Sequence, residues 1–118
     1  MIEMRKTITL GLMMSKRLAE NIATYAPQGV STRWIGSEVE ARACDGVIVD
    51  ATEFAGVPPG QVVLVLGDVN GVAEERLRKS GSVVMDRHLR THIDTLLMAF
   101  AAFAEQQALV SVAAGEVY

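Results

Sequence analysis

Apolar residues in this chain are gathered into short runs set between polar stretches of helical period. The clearest run is Asp45-Gly46-Val47-Ile48-Val49-Asp50, β-branched inside and ending on a carboxylate. It is too short for a helix and predicts a strand buried on both faces, as inside a parallel sheet. Gln61 to Leu66 (Gln-Val-Val-Leu-Val-Leu) repeats the pattern. Thr7 to Leu12 has strand composition extending to Met13, Val30 to Ile35 alternates like an edge strand, and Ser82 to Met85 supplies a fifth strand ending on Asp86.

Helical segments alternate with these strands. Ser15 can cap a helix through Tyr25 that places Leu18, Ile22 and Tyr25 on one face, with Pro27 and Gly29 ending it. Ser37-Glu38-Val39-Glu40 matches a capping box and starts a short helix through Ala43. Asn70 can cap a helix through Lys79, closed by Gly81. A last helix is expected from about His88 to Ala108. The connection Ala51 to Gly60 ends in Val57-Pro58-Pro59-Gly60. A parallel crossover normally takes a dozen residues or more, so its helix should be shortened or lost. The order β-α-β-α-β-loop-β-α-β-α predicts an α/β, flavodoxin-like fold: a five-stranded parallel sheet of order 2-1-3-4-5, with helices on both faces.

Composition narrows the function classes. The 118 residues are half apolar and 21% charged, which fits one globular domain over residues 1–118. A net charge of −3 gives no basic field, so neither nucleic acid nor an anionic membrane surface is an expected partner. The single Cys44 excludes an internal disulfide and fits a reducing cytoplasm. The charged start, Met1 to Lys6, lacks the pattern of an export signal. The longest apolar run, Leu96 to Ala104, is far short of a membrane span.

Open parallel sheets bind ligands at the carboxyl ends of their strands. Asp50, Asp68 and Asp86 fall at three such ends, on neighbouring strands about 5 Å apart. They form either a small acidic site for a divalent cation or other ligand, or a row of loop caps. His88 and His92 share a helix face at a zinc-compatible spacing but lack a third ligand, and no glycine spacing resembles a phosphate loop. No metal site or cofactor is expected.

In the last helix, Leu89, Ile93, Leu96, Leu97, Phe100 and Ala104 form a stripe able to cover the sheet. Met98, Phe103, Leu109 and Val110 fall outside it, so a second face calls for cover, from the chain's own tail or from a partner. The expected interface for a homodimer or protein partner comprises Leu97, Met98, Phe100, Ala101, Phe103 and Ala104.

With these features in place, the chain resembles the receiver domain of bacterial response regulators. Asp45 to Asp50 looks like that family's third strand ending in the phospho-acceptor, and Gly81-Ser82-Val83 is similar to its turn into strand five. The resemblance implies a signalling role and dimerisation through the last helix and its neighbours. The departures are chemical. Receivers hold Mg²⁺ with an acidic pair after strand one, where this chain has Gly11-Leu12-Met13-Met14. Their Thr or Ser after strand four falls at Gly67, and their Lys after strand five falls at Asp86. The expectation is a phosphorylation-independent pseudo-receiver, not an enzyme. The alternatives are a receiver that still takes phosphate on Asp50, and a small metal- or ligand-binding protein using Asp50, Asp68 and Asp86.

Overall fold

A computed structural model describes residues 7–52, 56–68, 70–85 and 92–115, with side chains described as far as residue 108. The elements are β1 (Ile8–Met13), α1 (Lys16–Ala23), β2 (Val30–Trp34), α2 (Glu38–Ala41), β3 (Gly46–Asp50), β4 (Val62–Leu66), α3 (Val72–Lys79), β5 (Val83–Val84) and α4 (Ile93–Gly115). Every strand pair is parallel and the order is β2-β1-β3-β4-β5. This is the expected flavodoxin-like sheet. The described residues between β3 and β4 form turns and irregular chain, and Val57 from that loop is buried in the core.

The two-residue period of the strands sorts the core into two layers. Leu10, Leu12, Ile48 and Leu64 face one side, where α1 contributes Ala19 and Ile22 and α4 contributes Leu96, Leu97 and Phe100. Met13, Val47, Val49, Val63 and Val65 face the other, under Ala41 of α2 and Ala73 and Leu77 of α3. Helices thus cover both faces. The strands β3 and β4 read as unbroken apolar runs because each is buried from both sides.

Two glycines set how closely the layers approach. A Cβ on Gly46 would lie 2.9 Å from Cζ of Phe100, and one on Gly11 would lie 2.8 Å from Cδ1 of Ile35. Gly46 therefore lets the fully buried ring of Phe100 rest on the β3 backbone. Just before β3, Asp45 anchors the strand start. Its N–H donates to the Thr9 carbonyl at 2.8 Å, and its carboxylate accepts from the Thr9 N–H at 2.8 Å.

Several element ends differ from expectation. The first helix stops at Ala23, with Thr24 as its C-cap, and β5 keeps only two residues. The last helix runs past Ala108 to Gly115, because its sequence is rich in Ala, Gln and Leu and meets no glycine or proline before that residue. Its 23 residues span about 34 Å, roughly twice a five-residue strand. The helix therefore outruns the sheet it covers. Among the described residues no helix is long and apolar enough to cross a membrane.

Filling the space at Gly46 tests the close approach of α4. Gly46→Ala should destabilise the chain by about 1–3 kcal/mol in urea unfolding, through overpacking against Phe100. The same substitution should cost clearly less in a Phe100→Leu background. Equal costs in both backgrounds would show that the ring does not rest on Gly46.

Candidate functional site

The carboxyl edge of the sheet is built by the ends of β1, β3 and β4. Register pairs Asp50 with Leu66, and the Ala51 N–H donates to the Leu66 carbonyl at 2.8 Å, so Asp50 is fixed at the last rung of the ladder. Its Oδ1 accepts from the Thr52 N–H at 3.0 Å and from the Thr52 hydroxyl at 2.8 Å. This is a local turn of the carboxylate onto the chain two residues on. No described residue donates to Oδ2 of Asp50.

Asp68 has a different task. Gly67 turns the chain out of β4 with φ +75°, and the Asp68 carboxylate then receives the N–H groups of Ala73 at 3.1 Å and Glu74 at 2.9 Å. Both oxygens are committed to the first turn of α3, where the open backbone donors of a helix start need acceptors. Asn70, the expected cap, is exposed, and Gly71 stands at the N-cap with no side-chain hydrogen bond. Asp68 caps instead, from farther back in the chain. The third expected carboxylate, Asp86, lies outside the described residues, as does His88, while His92 is exposed.

After β1 the edge is apolar. Met13 and Met14 are buried on opposite faces of the sheet. The Met14 carbonyl accepts from Nε1 of Trp34 at 2.8 Å, an indole that is otherwise half exposed. Hard divalent cations require oxygen ligands, and these side chains carry none. Among the described residues, no three His, Cys, Asp or Glu side chains come together in a way that would hold a metal ion. Cys44 is buried, with its Sγ donating to the Glu40 carbonyl at 3.7 Å. Burial pushes its thiol pKa above the ordinary value, and the Arg33 charge offsets that only in part. It is a core thiol beside Gly11.

Beside Asp50, between α1 and α4, the described residues outline a cleft of about 410 Å³. Leu18, Ile22, Ile93 and Leu96 form its walls, Leu66 and Gly67 lie at the sheet end, and Asn21 and Tyr25 line it from exposed positions on α1. The sequence pattern placed Leu18, Ile22 and Tyr25 on one helix face but gave no sign that α4 stands off from them here.

The expected interface needs correction. Leu97, Phe100, Ala101 and Ala104 are buried in the chain's own core against the sheet, so they offer nothing to a partner. Phe103 is partly buried and packs on the same cluster. Met98 alone of the six is widely exposed, at 60%. The reason is geometric. At a hundred degrees per residue, Leu97, Phe100, Ala101 and Ala104 form one sheet-facing stripe, and Met98 points away from it.

Compared with protein families, curated proteins and solved structures, the chain matches none of them.

Different jobs for the two carboxylates predict different costs on removal. Asp68→Ala should lower stability by about 0.5–2 kcal/mol, as loss of a helix cap does. Asp50→Ala, which loses only exposed local bonds, should cost roughly half a kcal/mol or less. Urea titrations of the two variants check the order, and a larger loss for Asp50 would reverse the assignment.

Proposed function

We propose that the chain is a non-catalytic regulatory interaction domain, a receiver-like module that works without phosphoryl transfer and self-associates through its last helix. The observation that carries this reading is the isolation of Asp50. It stands where a receiver has its phospho-acceptor, at the end of the third strand of a 2-1-3-4-5 sheet. Phosphoryl transfer is catalysed mainly by positive charge and metal placed around the transferring group. Met13 ends β1 and Met14 follows it, Gly67 follows β4, and Asp68 is committed to α3. Among the described residues, an acyl phosphate on Asp50 would form with no cation beside it and no carboxylate pair to hold one.

The interaction part of the proposal rests on the outward face of α4. Thr95, Met98, Ala99 and Ala102 are all exposed on it, and none carries a charge. The helix extends about twice as far as a strand of the sheet beneath it. Exposed Asp94 and Glu105 stand at its margins, and a second copy of the same helix offers a matching apolar patch for the residues between them. Docking is thus centred on Met98, in place of the broader set that the sequence pattern suggested.

Two measurements test the two halves. After incubation with acetyl phosphate and Mg²⁺, intact mass should show no Asp50-dependent gain of a phosphoryl group, and a stable gain lost in Asp50→Asn would overturn the non-catalytic reading. In light scattering the wild-type chain should have the mass of a dimer. Met98→Glu should weaken association at least about tenfold, since it replaces a buried apolar side chain with a charge. A monomeric wild type would sink self-association.

A further inference from the structure

We infer that the cleft between α1 and α4 is a binding site for a small organic cation, an amine or similar head on an apolar body, with Asp50 as its counter-ion. The inference goes beyond the docking proposal and does not rest on it. The cleft volume of about 410 Å³ lies within the range of small-molecule sites, which are mostly apolar with a few placed polar groups. Its walls suit such a body. Leu18, Leu66 and Ile93 pack against the core yet remain only partly buried, so apolar surface is left uncovered where the cleft lies. A ligand that covers it gains about 25 cal/mol for each Å² removed from water.

The head group follows from the charge. Asp50 is the one charged side chain among the described lining residues, and no described Lys, Arg or His lines the cleft with it. Among the described lining residues nothing offsets that carboxylate for an anionic ligand, which disfavours phosphates and carboxylates. A cationic N–H donor would be attracted. Thr52 occupies Oδ1 of Asp50 and holds the carboxylate in place, while Oδ2 receives no hydrogen bond from a described residue. A positively charged donor at Oδ2 would make a charge-assisted hydrogen bond, the stronger kind. The site also lies at the carboxyl edge, beside the point where α1 leaves β1 and β3 ends, the general ligand position of open α/β sheets.

The test uses the full chain, isotopically labelled, and three probes that share one ring: phenethylamine, phenethyl alcohol and phenylacetate. In amide NMR titrations phenethylamine should shift Thr52, Gly67 and Leu96 saturably. It should bind at least about tenfold more tightly than the alcohol or the acid, as expected for one charge-assisted bond. Asp50→Asn keeps an oxygen for Thr52 and should remove that tenfold advantage while leaving the remaining spectrum in place. Leu18→Trp, which fills the cleft, should abolish binding of all three probes. Equal affinity for amine and acid, an undiminished preference in Asp50→Asn, or no saturable shift with the amine would each overturn the inference. If Asp50→Asn does not fold, the wild-type ranking of the three probes still decides.

Discussion

The close seating of Phe100 on Gly46 is the contact on which the other features of the molecule depend. A glycine at the start of β3 lets a fully buried aromatic ring approach the sheet backbone. That approach fixes both the height and the rotation of α4. With the ring in place, Leu96, Leu97, Ala101 and Ala104 close the first core layer. Removing a buried Phe side chain costs about 3–5 kcal/mol, several times the worth of a surface hydrogen bond. The same rotation directs Ile93 towards the cleft and turns Met98 outward. Both proposed surfaces are consequences of one packing decision.

The electrostatics of the carboxyl edge divide along the same architecture. Asp68 and Asp50 stand at the ends of adjacent strands, yet the loop after β4 turns on Gly67 and delivers Asp68 to the first turn of α3. A carboxylate that accepts two helix-terminal N–H groups serves the fold. Among the described residues Asp50 is held by its near neighbour Thr52 alone, and it lines the cleft. Two residues of one type, one strand apart, are separated in role by the loop that follows each.

Much of the architecture could be read from the chain because burial on both faces leaves a plain signature. The runs Val47-Ile48-Val49 and Val62 to Leu66 contain no polar residue, and they became the central strands in the expected order. Ser15 and Ser37 cap their helices as their positions implied, donors from Leu18 and Glu40 reaching their hydroxyls. What was hidden depends on distances between segments remote in sequence. The Asp68 cap spans a loop, with Asn70 as a nearer and locally more plausible candidate. The Trp34 bond to Met14 joins the ends of two strands, and the cleft exists only where α1 and α4 stand apart. The expected interface set mixed the two sides of α4 for a related reason. An apolar run such as Leu96 to Ala104 has no polar residue to mark its outer side, so sheet-facing and outward residues look alike until the helix is rotated into place.

Since cleft, outward face and core all follow from how α4 sits on β3, native-state hydrogen exchange tests the account most directly. The amides of Val47 to Val49, Val63 to Val65 and Leu97 to Ala101 should exchange in one slow class that tracks global unfolding, as in a single cooperative unit. If the α4 amides exchange far faster than those of β3 and β4, the helix is not locked to the sheet, and the surfaces derived from its position are not features of the native state.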